Sequence, residues 1–180
     1  MANKRFKVFG LGLSKTGTNS LLAMLRKLGW GKTGHFVVNP LDYETYDAIA
    51  DVPLVLHYIG LNLRFPDAHF IYTVRDLTAW LDSCEKWFIK THNHAVNSTR
   101  LTIYGTYEFD RFKFTRAHFQ HMRAARNYFK NNPRFLLYDL CTESLTDDEK
   151  WDQLCRFLGV KCPKPGTPVP WLNKAQVPRA

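Results

Sequence analysis

The 180-residue chain has no run of eighteen apolar residues, no Cys-x-x-Cys pair, no internal repeat and no low-complexity tract. The first absence excludes a transmembrane helix, which needs about twenty predominantly apolar residues to cross the hydrocarbon core. MANKRFKVFG runs straight into an apolar segment, so neither a signal peptide nor a membrane anchor is expected, and the chain reads as soluble and cytoplasmic. The four cysteines, Cys84, Cys141, Cys155 and Cys162, are expected as free thiols with no metal, because their spacing fits no zinc pattern. Acidic side chains are scarce as well, 16 against 25 Lys and Arg, giving a net charge of +9. That imbalance asks for an anionic partner. The basic residues are scattered, with one loose cluster at Arg111, Lys113, Arg116, Arg123, Arg126 and Lys130. No nucleic-acid partner is therefore expected; the charge reads as a field steering a small anion, with a solvated helix face as the other reading of residues 111–130.

What the chain does have is concentrated between Val8 and Leu28, VFGLGLSKTGTNSLLAMLRKL. An apolar strand-like run leads into a turn with Gly10, Gly12 and Gly17 and one lysine, Lys15, and then into an amphipathic helix opened by Thr18, Asn19 and Ser20. Glycines let the backbone N–H groups approach an anion, and the helix N-terminus adds unpaired donors and a positive dipole end. The segment is a phosphate cradle. The spacing from Gly12 to Gly17 meets the first half of a P-loop, yet Gly17 is followed by Thr18 and Asn19, and the lysine lies two residues before the glycine. A lysine in that place cannot reach the β- and γ-phosphates of ATP from the start of the helix.

Elsewhere strands and helices alternate. Strands are expected at about 7–12, 69–74 and 135–138, with a short strand plus helix over 36–50. Helices are expected at about 18–28, 53–64, 78–91 and 148–158, with a long one ending at Tyr128 and Phe129. Such alternation implies one α/β domain, residues 1–180, whose mostly parallel sheet is covered on both faces in three layers of P-loop type, with ligands beyond the carboxyl ends of the strands. Residues 90–114 are the least periodic and aromatic-rich, and are read as the variable acceptor or cover region. The tail 162–180 carries Pro163, Pro165, Pro168, Pro170 and Pro178 and is expected to be extended.

Several of these segments resemble the sulfotransferases that use 3′-phosphoadenosine 5′-phosphosulfate (PAPS). Ser14-Lys15-Thr16-Gly17-Thr18 is similar to their Pro-Lys-Ser-Gly-Thr loop, and FIYTVRDLTAWLDS places Arg75 at a strand end and Ser83 eight residues later, as the superfamily does. Phe135-Leu136-Leu137-Tyr138-Asp139 resembles its late strand, and WDQLCRFLGV its closing helix. Asp51-Val52-Pro53 stands where many members carry a catalytic base before x-Pro, with Asp where the cytosolic enzymes have His. The resemblance runs from Val8 to about Val160 and is nearest to a short bacterial-type branch, marked by Phe65-Pro66-Asp67-Ala68 before the Arg-bearing strand.

The resemblance implies an α/β enzyme that moves a sulfuryl group in line from PAPS to a hydroxyl or amine of a small-molecule or glycan acceptor, releasing adenosine 3′,5′-bisphosphate without a metal. It implies that Ser14, Lys15, Thr16, Gly17, Thr18, Asn19 and Ser20 hold the 5′-phosphosulfate, that Arg75 and Ser83 read the 3′-phosphate and that Tyr138 lies beside the adenine. Lys15 would meet the charge on the leaving oxygen. For the base, Asp51 is the first choice by position, with a helix cap before Pro53 as its other reading; His57 and His121 are alternatives that titrate in the useful range. The family's late Arg-Lys-Gly segment is absent, leaving Lys174 and Arg179 as substitutes. A P-loop kinase using Asp139 on a metal, or a noncatalytic nucleotide-binding protein, remains open at this stage.

Overall fold

The computed structural model describes residues 6–88 and 94–172, the side chains of 94–97 excepted. Thirteen elements follow in order: β1 (Val8–Gly10), α1 (Thr18–Lys27), β2 (Thr33–His35), a 3₁₀ turn (Pro40–Thr45), β3 (Ala48–Ala50), a second 3₁₀ turn (Leu54–Leu56), α2 (Tyr58–Arg64), β4 (His69–Thr73), α3 (Leu77–Phe88), α4 (His94–Tyr104), α5 (Arg111–Tyr128), β5 (Phe135–Tyr138) and α6 (Asp147–Leu158). The strands form one sheet in the order β2-β3-β1-β4-β5, and every pairing is parallel.

The pleat sorts the strand residues into two cores. Phe9, Ile49, Phe70 and Tyr72 face the side covered by α2, α3 and α5, while Val8, Ala48, Ala50 and Ile71 face α1 and α6. The first core holds a run of aromatic rings, Phe9 on Phe70, Phe70 on Phe129 and Phe129 on Phe135, with centroids 5.6, 4.7 and 4.8 Å apart. Such offset and tilted pairs contribute beyond the apolar area they bury. Helices on both faces of a parallel sheet give the three-layer fold expected above.

The departures lie in the first third and around the acceptor region. The stretch 36–50 is not strand plus helix: β2 ends at His35, before that stretch begins, and a 3₁₀ turn leads to β3. Both strands have only three residues, too short to show alternation, and they exist because β1 supplies a template for β3, which in turn pairs β2. Gly34 sits so close to its neighbours that an added Cβ would lie 2.6 Å from Val37 Cγ2. The helix expected at 53–64 divides at His57 into the 3₁₀ turn and α2. Within 90–114, α4 takes up 94–104. The first two residues of α6, Asp147 and Asp148, lie in its acidic first turn, where Thr146 and Glu149 form a reciprocal capping box. After α6 the described chain has no helix or strand and is broken by a turn at Pro165–Gly166, where the Thr167 N–H donates to the Lys164 carbonyl, and Val169 is buried against α1 and α6.

Candidate active site

The turn after β1 is held open from behind. Thr16 donates both its N–H and its hydroxyl to the Leu13 carbonyl, at 3.3 and 2.6 Å, and its hydroxyl lies 2.7 Å from that of Thr73. Trp80 Nε1 donates to the Ser14 carbonyl at 2.9 Å and an Arg75 guanidinium nitrogen to the Lys15 carbonyl at 3.2 Å. These bonds tie the loop to the end of β4 and to α3, leaving Lys15 (φ 73°) and Gly17 (φ 94°) in the left-handed region. A non-glycine residue held there marks a backbone fixed by its surroundings. Gly12 admits no side chain, since a Cβ would come within 1.8 Å of Thr73 Oγ1.

The result is one cavity at the carboxyl ends of β1, β3 and β4. Ser14, Lys15, Gly17, Thr18, Asn19 and Ser20 line it, with Asp51, Arg75 and Ser83 from elsewhere in the chain. Nine residues singled out from the sequence are thus brought together. Thr16 does not line it, because its polar groups are spent on Leu13 and Thr73. Burial holds the Lys15 ammonium below its usual range; the Cys84 thiol and Asp51 carboxylate work against that and the Arg75 guanidinium adds to it. The Lys15 ammonium also lies 5.6 Å from the centre of the Trp87 ring.

Tyr138, expected beside the adenine, is fully buried and does not line the cavity. It is on the α1/α6 face of β5, and its hydroxyl donates to the Lys150 carbonyl at 2.9 Å. Leu140 and Cys141, just after β5, line the cavity instead. His121 is on α5, bonded to the Ile103 carbonyl, and burial lowers its basicity; His57 is exposed at the start of α2, and neither lines the cavity. Asp139 turns its carboxylate back onto the Cys141 N–H at 3.1 Å and does not line it either.

Asp51 does line the cavity, and its side chain is not a helix cap. It is 5% exposed with φ 84°; Oδ1 accepts from the Ser14 hydroxyl and the Val52 N–H, each at 2.8 Å, and Oδ2 lies 2.8 Å from His35 Nε2. Sequence reading missed His35. Its signal is topological, since the parallel register sets His35 beside Ala50 and so brings it next to Asp51. Also missed was the closing role of the tail: Trp171 and Leu172 line the cavity, with the Leu172 N–H donating to Ser20 Oγ at 3.0 Å and the Lys150 ammonium 5.6 Å from the Trp171 ring centre. Lys174 and Arg179 lie outside the described residues.

Among the described residues, two cations, four hydroxyls, an amide and the open first turn of α1 thus line one cavity, and the acidic group lining it, Asp51, is already engaged by Ser14 and His35. That set of donors suits a ligand with several anionic oxygens. The chain matches the sulfotransferase domain family over residues 7–42, 41–108 and 92–177. It belongs to the sulfotransferase family. A mouse sulfotransferase, SULT7A1, solved in complex with PAP, shares the fold of this chain with a TM-score of 0.54 at 12% identity, over 88% of this chain and 61% of the mouse chain. Among curated proteins no sequence match is found. No described helix is long and apolar enough to cross a membrane.

Proposed function

We propose that this cytoplasmic, single-domain protein, residues 1–180, transfers a sulfuryl group from PAPS to a hydroxyl or amine of a small-molecule or glycan acceptor, releasing adenosine 3′,5′-bisphosphate. The carrying observation is the meeting of Lys15, the first turn of α1, Arg75 and Ser83 around one cavity. The solved mouse relative holds PAP. When bound, the donor supplies an electrophilic sulfur and a stable bisphosphate leaving group.

The chain supplies the rest. The N–H groups opening α1, with the hydroxyls of Thr18 and Ser20 and the Asn19 amide, hold the 5′-phosphosulfate, with Ser14 at the edge; Gly17 lets the backbone turn into them and Thr16 braces the loop. Lys15 places its ammonium where negative charge grows on the bridging oxygen, a preorganised contact of about 3 kcal/mol in comparable sites. Arg75, already oriented by the Lys15 carbonyl, and Ser83 hold the 3′-phosphate. The guanidinium fork suits a phosphate better than an ammonium would.

Thermal shift separates this reading from the kinase and from a nucleic-acid binder. Adenosine 3′,5′-bisphosphate with EDTA present is expected to raise the melting temperature, and Arg75→Ala to abolish the rise. A response confined to ATP with Mg²⁺, or to an oligonucleotide with the steep salt dependence of phosphate contacts, overturns it.

A further inference from the structure

The hydrogen bonds around Asp51 bear on the base. Three of the roughly four lone-pair sites of its carboxylate are engaged, two on Oδ1 by Ser14 and Val52 and one on Oδ2 by His35, which leaves one site on Oδ2 for a further proton. His35 is different. It stands at the carboxyl end of β2, lines the cavity, and its side chain keeps 34% of its surface exposed. Its Nε2 is 2.8 Å from the Asp51 carboxylate and 3.3 Å from the Thr18 hydroxyl. A carboxylate at that distance fixes the ring proton on Nε2 and leaves the lone pair on Nδ1. The chain Ser14 hydroxyl, Asp51 carboxylate, His35 imidazole repeats the logic of a nucleophile's base held by a third group, except that here the base serves an incoming acceptor.

We infer that His35 Nδ1 accepts the proton of the acceptor during sulfuryl transfer, and that Asp51 is the positioning residue that sets its tautomer and stabilises the imidazolium. The inference rests on the sulfuryl-transfer reading. In the step, the acceptor oxygen or nitrogen forms its bond to sulfur as the bond from sulfur to the bridging oxygen breaks; that electron pair leaves with the bisphosphate, and the acceptor's proton goes to Nδ1. The imidazolium then returns the proton to solvent. The charged groups facing His35 are Asp51 from the end of β3, and Lys15 and Arg75 across the same cavity; Thr18 of α1 presents only a hydroxyl.

Three measurements on the full chain test it. Long-range ¹⁵N–¹H NMR of the histidine rings, assigned by comparison with His35→Gln, should show the neutral His35 ring as the Nε2–H tautomer, and Asp51→Asn should disturb that preference; an Nδ1–H tautomer overturns the proposal. Single-turnover release of bisphosphate from PAPS, with water as acceptor, should slow by about a hundredfold in His35→Gln. Calorimetric binding of the bisphosphate should change by no more than about threefold in the same variant, since glutamine can still donate to Asp51. A His35→Gln enzyme that keeps its rate overturns the base assignment, whereas failure of the unaltered protein to bind the bisphosphate overturns the sulfuryl-transfer reading itself.

Discussion

At Gly12 a single added carbon would lie 1.8 Å from Thr73 Oγ1, 2.6 Å from Thr16 Oγ1 and 2.9 Å from the Thr73 carbonyl. The last of these is backbone and cannot swing aside, so Gly12→Ala is expected to destabilise by about 2 kcal/mol or more, read as a lower urea midpoint at unchanged slope. Gly60, with nothing within 4 Å of its added Cβ and a place inside α2, is the contrast: Gly60→Ala should stabilise by about 0.5–1 kcal/mol. Lys15→Ala should cut turnover by about a hundredfold while bisphosphate binding changes far less, since its charge is needed most where the leaving oxygen gains charge; equal losses in both would make Lys15 a ground-state contact only. At this scale much of the site was legible. Lys15 and Gly17 lie in a turn that reads as an anion cradle, Arg75 and Ser83 are marked by the family resemblance, and the structure brings all four to one cavity. Thr16 was misassigned because its hydroxyl can serve either a ligand or its own loop, and only the distance to Leu13 chooses between them.

Elements were legible in proportion to their length. Helices α1, α3, α5 and α6 announce themselves by apolar periodicity and caps, and β4 and β5 by apolar runs next to Pro or Asp. The three-residue strands β2 and β3 do not, for their conformation is imposed by pairing and not by propensity. His35 was invisible for that reason. The tail shows the same division: five prolines predicted a course without helix, but not that Trp171 and Leu172 would close the cavity. Removing the ring with Trp171→Ala should weaken bisphosphate binding by about threefold to tenfold, the worth of an ordinary aromatic contact, with unfolding unchanged because the ring is 37% exposed; calorimetry beside a urea titration checks both.

Over the whole molecule, the charge of +9 is spread across the surface and one long helix, α5, contains no acidic residue. Such a field should steer an anionic donor inward and should weaken with salt, so the association rate for the bisphosphate is expected to fall as ionic strength rises. Stability should also depend on pH through buried histidines. Burial lowers the basicity of His69, His118 and His121 below the usual value of 6.5, so below about that pH the unfolded chain binds protons that the folded one resists. The folded state therefore loses stability as pH falls through that region, and regains it above. Urea midpoints at about pH 7.5 and about pH 5.5 should differ in that direction, and His118→Gln should shrink the difference.

By itself the amino-acid sequence determined the things that depend on near neighbours along the chain: alternating strands and helices, a Gly-rich turn between the first strand and its helix, an Arg after a strand and a Ser eight residues on in the next helix, a tail too rich in proline to coil. The tertiary structure alone decided which groups stand across from one another. Parallel pairing sets residues far apart in sequence side by side at the strand ends, which is how His35 meets Asp51 over a gap of sixteen residues, and the packing of the tail over α1 brings Leu172 to Ser20 over 152. It also turned Tyr138 into the core, because the pleat of β5, and not the character of a tyrosine, chooses the face. Such contacts depend on register, and register is fixed by the packing of both faces together.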